Sequence, residues 1–345
     1  MNTVTEKLAG WRDNYLPQGG LGKIIVIVIC LYLLGAVLLG MYWSIEPKPF
    51  DVRAKAQALA AEDGGTVVTG SVTTGALIGV VQTLLDKPGG YTHNDKFPPG
   101  VWLDNMPNWE YGVLIQVRDM SRALREVFSR SQSQSTEDVD LVEMEPRFNF
   151  NSDSWILPSS ESEYRDGLEY AREYFDRLSE KSAPGAQFYA RSDSLRYYLS
   201  AVDSRLGSLS QRLSASVGKS RLNTDLAGDA EAAQSTETPT EQEVRTPWSE
   251  IDDVFYEARG TAWALILFLK AVEVDFADVL AKKNAQVSLQ QIIRELEGTQ
   301  GTVWSPMILN GSGFGPLANH SLVMASYLSR ANAAIVDLRD LLSQG

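Results

Sequence analysis

The sequence predicts an all-α protein: a single N-terminal transmembrane helix, then a helical-bundle domain with a long antiparallel helical hairpin. Three observations carry that prediction. Residues 24–43 form an unbroken apolar run. Five later segments repeat their apolar residues in steps of three and four, and no stretch sustains a period of two between turns. With 44% hydrophobic and 9% aromatic residues, the chain of 345 holds enough apolar surface for a substantial core, which excludes wholesale disorder.

The tail, residues 1–23, sets Lys7, Arg12 and Lys23 against Glu6 and Asp13. Ile24 to Trp43 then gives twenty uncharged residues, about 30 Å of helix, the thickness of a bilayer hydrocarbon core. Tyr42 and Trp43 close it at the depth aromatic side chains prefer, and Pro47 and Pro49 stop the helix. The run is longer than a signal-peptide core, and MYWSIEPKP offers no small-x-small cleavage site. Ile29 stands before Cys30, where a lipoprotein needs a small residue. The run reads as a retained anchor with the lipid bilayer as its partner.

Lys48, Arg53 and Lys55 beyond the anchor balance the three basic residues before it, so flanking charge does not decide orientation. The tail is short and net positive, and long domains translocate largely regardless of charge. This places the domain outside the cytoplasm, which in a Gram-negative cell is the periplasm, with a cytoplasmic domain as the alternative. Ala36 and Gly40 form a small-xxx-small pair on which a second copy can pack; facing lipid is the plainer reading.

After the anchor, residues 44–221 read as a first helical part containing a hairpin over 161–217. Residues 222–246 read as an acidic low-complexity linker, and 247–345 as a second helical part. The apolar series are Val113, Val117, Met120, Leu124, Val127; Tyr164, Leu168, Ala171, Phe175, Leu178; and Leu195, Leu199, Val202, Leu206, Leu209, Leu213. A fourth runs from Ile251 through Phe255, Ala258, Ala262 and Leu265 to Val279, and a fifth from Leu328 to Leu342. Each puts one stripe on a helix, the pattern of bundles. The turn Ser182-Ala183-Pro184-Gly185 joins the second and third into the hairpin. Segments 129–145 and 222–246, rich in Ser, Thr, Glu and Asp, read as solvated loops. A helix, a glycine turn, Val-Trp and a second helix recur around Val101-Trp102 and Val303-Trp304, a faint internal echo.

The net charge of −13 argues against nucleic acid as a partner. With Cys30 the only cysteine, the domain has no disulfide, thiolate metal site or cysteine nucleophile. His93 and His320 belong to no metal-binding set, and no cofactor is implied. The least helical and most aromatic segment is 88–112. Trp102 and Trp109 beside Asp104, Asn105, Asn108 and Glu110 resemble a sugar-binding groove, with Asp104 and Glu110 as a possible pair of carboxylates for glycoside cleavage. The plainer reading has the tryptophans packed on the bundle and Asn108 capping the next helix. Asn310 to Pro316 is glycine-rich, but Pro316 stands where a dinucleotide fingerprint needs a glycine; it reads as a tight helix connection with glycines at positive φ.

TLLDKPGGY (83–91), PPGVWLDNMPNWEYGVLIQVRD (98–119), RLGSLSQRLSAS (205–216), EIDDVFYEARGTAWAL (250–265) and the stretch from Trp304 to Gly345 resemble the proteobacterial membrane proteins grouped as domain of unknown function 2333. The resemblance covers nearly the whole chain and implies a bacterial inner-membrane protein. It carries over no activity, ligand or catalytic residue. The functional expectation is a non-enzymatic envelope scaffold or assembly factor with an unidentified envelope protein as partner. The alternatives are a cell-wall binder or glycan hydrolase using 88–112, and a cytoplasm-facing adaptor.

Overall fold

In the protein's structure, a computed structural model, residues 20–62, 64–131, 136–180, 185–222, 241–305, 307–312 and 315–344 are described. Most of the tail, residues 132–135, the turn at 182–184, the acidic stretch 223–240 and Gly313-Phe314 lie outside them. Helix α1 (Gly20–Trp43) is the apolar run, and only Ala36 and Gly40 along it are buried. A strap, Ser44–Asp51, leads into α2 (Val52–Glu62), where Asp51 Oδ1 accepts from Arg53 N at 2.8 Å and Ala54 N at 3.0 Å and so caps the helix.

The core is built on α3 (Ser71–Asp86), α4 (Asn105–Ala123) and α8 (Ile251–Asp275). Helix α3 carries almost no polar face, so it can only sit inside, and it packs against α2, α4, α6 (Ser160–Ser179) and α8. Its N-terminus has no side-chain cap of its own. Asp275, at the end of α8, supplies one by accepting from Thr73 N at 2.7 Å. Helices α4 and α8 form the most extensive contact in the molecule. A Cβ at Gly112 would lie 2.1 Å from the Glu257 carbonyl oxygen, and one at Gly260 would lie 1.9 Å from that of Trp109. Each helix therefore presents bare backbone to the other, and Trp109 and Trp263 fill the space beside the crossing with ring centroids 5.2 Å apart.

Around this centre, α5 (Val139–Phe148) lies on α6 and α4, while α7 (Ser192–Ser214) pairs with α11 (His320–Ser343). Helix α10 (Gln286–Gly298) packs on α11 and α8, and the short α9 (Ala277–Lys282) follows α8 after a break at Phe276. The stripes expected on α6 and α7 are all buried. A two-stranded antiparallel ribbon, β1 (Lys219–Leu222) with β2 (Glu241–Val244), is a small addition to an otherwise helical fold.

Three expectations are corrected. Helices α6 and α7 do not form a packed hairpin: they make little contact with each other, and α7 lies against the C-terminal helix. Residues 139–145, expected in a loop over 129–145, fall in α5, which Asp138 caps by accepting from Asp140 N; Leu141, Met144 and Phe148 turn inward. The break at 222–246 interrupts the chain's path but not its core, because helices on either side of it share one hydrophobic cluster.

Contacts sort the loops into two ends. At the anchor end, Trp43 lies against Gly89, and Gly40 against Pro99 and Leu103. Asn94 Nδ2 reaches Ser154 O at 2.7 Å, Asn108 reaches Asp253 at the start of α8, and Asn310 Nδ2 reaches Ser216 O at 2.9 Å beyond the end of α7. At the far end, Thr66 N donates to Ser179 O, Tyr189 N to Phe128 O, and Ser192 Oγ to Leu342 O.

Candidate functional site

The anchor end holds all six residues singled out in 88–112, but the structure divides them into an outer and an inner set. Trp102 ends a 3-10 turn (Gly100–Trp102) and is half exposed. Asp104 is the N-cap of α4, with its carboxylate accepting from Asn105 N at 2.8 Å, so capping belongs to Asp104 and not to Asn108. Asn105 opens the helix. Asn108 Nδ2 donates to Asp104 O at 3.0 Å and to Asp253 Oδ1 at 2.7 Å, which ties α4 to α8. Trp109 is fully buried on Trp263.

Glu110 is also fully buried. Its carboxylate accepts from Thr92 N at 2.9 and 3.0 Å, Thr92 Oγ1 at 2.8 Å and His93 N at 2.8 Å. Lys87 Nζ pairs with it at 2.5 Å and also donates to Gly90 O at 2.6 Å. The carboxylate thus fastens the turn 87–93 onto α4. That turn needs positive φ at Gly89 and Gly90, and at Gly89 a side chain would also strike Trp43. With every lone-pair direction engaged and no solvent access, Glu110 cannot meet a glycan. The groove anticipated from the sequence keeps Trp102, Asp104, Asn105 and Asn108 at or near the surface and loses Trp109 and Glu110 to the core.

Two nearby carboxylates feel this crowding. Burial, then Glu110 and Glu161, push Asp95 up to about 6. Burial, then Asp252 and Asp104, push Asp253 up to about 6. His93 lies between the Pro107 carbonyl and Asp153, stacked on Tyr111, and His320 Nδ1 accepts from Leu309 N at 3.1 Å. No group of three or more His, Cys, Asp or Glu with metal-binding geometry exists among the described residues.

Arg259 joins the anchor to the domain. The buried guanidinium donates to both carboxylate oxygens of Glu46, at 2.8–3.0 Å, and to Thr299 O and Gly301 O at 2.9 and 2.8 Å. The strap after α1 is therefore held against both α8 and the turn after α10, a bidentate clamp of the kind a guanidinium makes and an ammonium does not. Phe50, at the end of the strap, sits over Gly79 and edge-on to Trp263. Beside the clamp is a cavity of about 500 Å³, walled by Phe255, Trp304, Val323, Met324 and Tyr327, with Arg259 and His320 as polar points. It suits an apolar ligand, and no carboxylate lines it among the described residues.

The glycine-rich segment follows Leu309, which lines this cavity. Asn310 and Asn319 pair across it, Gly311 N donates to Ala318 O at 3.0 Å, and Asn319 Oδ1 caps α11 through Leu322 N at 2.9 Å. The two ends of the segment close on each other, and residues 313–314 between them lie outside the described residues. Gly311 serves by close approach, since a Cβ would lie 2.1 Å from Leu317 O, and not by positive φ.

Sequence reasoning passed over Lys87 and the Glu46–Arg259 clamp, whose members are far apart in the chain. It also passed over Trp155-Ile156-Leu157, three consecutive exposed apolar residues between Ser154 and Pro158. That run was detectable, because it fits neither a helical stripe nor a polar loop.

These features define an all-α protein with one helix long and apolar enough to cross a membrane, bolted to a helical domain at that helix's C-terminal end. The chain belongs to the bacterial family described as "Uncharacterized protein conserved in bacteria (DUF2333)", whose profile matches residues 17–345. No curated protein and no solved structure matches it.

Proposed function

We propose that this protein is a single-pass inner-membrane scaffold or assembly factor, non-enzymatic, with its helical domain in the periplasm and an envelope protein as partner. The observation that carries this reading is the Arg259 clamp. Only Ser44–Asp51 separate α1 from α2, and Glu46 within that strap is fixed to α8 and the α10 turn. A domain held so close to its anchor is suited to presenting a fixed surface at the membrane, whereas a tethered enzyme working on distant substrate gains from a long, free linker. The periplasmic side rests on the length of the domain after α1, since long domains translocate largely regardless of flanking charge. A glycan-cleaving reading draws no support from Glu110, which is sealed by Lys87.

Paired reporter fusions at the C-terminus test the orientation: alkaline phosphatase is expected to be active and a cytoplasm-requiring fluorescent fusion dark. The opposite pattern supports the adaptor alternative. Crosslinking in intact cells followed by purification of the full chain from membranes tests the scaffold. Recovery of no envelope protein in stoichiometric amount, together with unchanged envelope integrity in a deletion strain, would reject it.

A further inference from the structure

The exposed aromatic residues of the domain gather at one end. Among the described residues outside α1, the exposed tryptophans are Trp102, Trp155, Trp248 and Trp304, and all four stand on anchor-end segments. Phe97 and Leu157, the latter 95% exposed, stand with them. At the far end the exposed apolar residues include Val67, Val68, Val139 and Val287, and no tryptophan.

Helix α1 fixes the depth of these loops. Gly40 lies one turn before the helix end, about 4.5 Å lower along the axis, and a Cβ on it would be 3.5 Å from Leu103 and 3.7 Å from Pro99. The loop bearing Phe97 and Trp102 therefore touches α1 inside its apolar run, not beyond it. Phe97 meets Trp155 edge-on at 6.0 Å, which brings the 153–158 loop alongside. The clamp from Arg259 to Gly301 holds the segment that ends in Trp304, and Trp248 begins the turn leading into α8. The charged residues on this end are of both signs, Lys48, Lys96 and Arg245 beside Asp104, Glu250, Asp252 and Asp253, so no single-sign field draws the surface to anionic headgroups.

We propose that these loops form a membrane-interface platform. Phe97, Trp102, Trp155, Leu157, Trp248 and Trp304 sit in the headgroup and upper acyl layer of the bilayer that α1 crosses. The proposal rests on the reading of α1 as a transmembrane anchor. Lipid is the occupant because loops touching α1 at that depth meet what surrounds α1 there. Tryptophan is the side chain suited to the layer, with an apolar ring to bury and an N–H to leave in the headgroups. The binding is apolar and aromatic, and zwitterionic lipid suffices for it.

The test uses the full chain in nanodiscs of phosphatidylcholine, with an environment-sensitive fluorophore on single cysteines. A label on the native Cys30 reports whether α1 is immersed. In a Cys30→Ser background, Leu157→Cys and Trp304→Cys report the platform, and Val287→Cys at the far end is the reference. Lipid-borne nitroxide is expected to quench the labels at positions 30, 157 and 304 and to leave position 287 bright. Exchanging half the lipid for phosphatidylglycerol is expected to change none of these. Quenching at Cys30 alone overturns the platform and leaves the anchor standing; no quenching at Cys30 overturns both. Labels at 157 and 304 that are shielded from aqueous iodide yet untouched by lipid nitroxide indicate a protein cover, and that result also overturns the proposal.

Discussion

Glu110→Gln is the substitution that separates a structural carboxylate from a chemical one. It preserves volume but removes the charge that Lys87 faces at 2.5 Å, and it replaces an acceptor oxygen with an amide that has nothing to accept it. Both side chains are at most 1% exposed, so the ammonium left behind has no water to turn to. Breaking a buried pair from one side costs about 3–5 kcal/mol, which for a domain of this size is a fall in Tm of about 5–8 °C. Lys87→Met is expected to cost less, because Glu110 keeps its hydrogen bonds from Thr92 and His93. The double variant Lys87→Met/Glu110→Gln is expected to be more stable than the sum of the two single losses by at least about 1 kcal/mol. Thermal unfolding of the full chain in detergent, followed by circular dichroism, measures all three. Amide exchange over 87–95 locates the loss. If Glu110→Gln unfolds within about 3 °C of the parent, or the two single losses add without coupling, the carboxylate is not the fastener described here.

Gly260→Ala forces a Cβ to within 1.9 Å of the Trp109 carbonyl and must prise α4 from α8; a loss of about 3 kcal/mol or more is expected in the same melts. Gly207→Ala on α7, where the nearest atom is 3.6 Å away, is the matched control and is expected to be neutral or slightly stabilising. Arg259→Lys keeps the charge but cannot span Glu46, Thr299 and Gly301 together, so trypsin is expected to cut at Arg53 and Lys55 several-fold faster without loss of the far-UV spectrum. Asp253, raised to about 6 from 3.8, opposes folding once ionised: the penalty is absent below about pH 4, grows as pH rises toward 6, and is constant above. Asp253→Asn is therefore expected to gain Tm over the parent as pH is raised from 4 to 7; a constant difference across that range refutes the assignment.

The stripes on α6, α7, α8 and α11 were legible because an apolar residue every three or four positions specifies a helix face with no knowledge of its neighbour. What such a stripe does not specify is its partner, which is why α7 was assigned to α6 when it lies against α11. Helix α5 was hidden by composition: its acidic residues and internal Pro146 suggest a loop, while the inward triplet Leu141, Met144 and Phe148 occupies only one narrow face. Within 88–112 the division of the six residues was half legible. Trp109 precedes Val113 and Val117 by four and eight, on the same stripe, and Trp102 lies outside the helix. Glu110 gave no such signal, because a buried carboxylate is recognised by its partners, and Lys87, Thr92 and His93 reach it only once the turn has folded. The long apolar helix needed nothing beyond its own twenty residues, although no residue around it decides the side of a membrane by charge.

The clamp at Arg259 has a mechanical consequence. A helix in a bilayer changes its lean as the hydrocarbon layer thickens or thins, and a flexible linker after such a helix absorbs that change. Here Trp43 is seated on Gly89, Gly40 on the 99–103 loop, and Glu46 on α8, so there is no slack to absorb it. The tilt of α1 and the attitude of the whole bundle form a single degree of freedom. Under the proposed transmembrane reading of α1, a bilayer that leans the helix by a given angle swings the α5, α9 and α10 ends through an arc set by the length of the bundle, so the domain acts as the long arm of a lever whose short arm is α1.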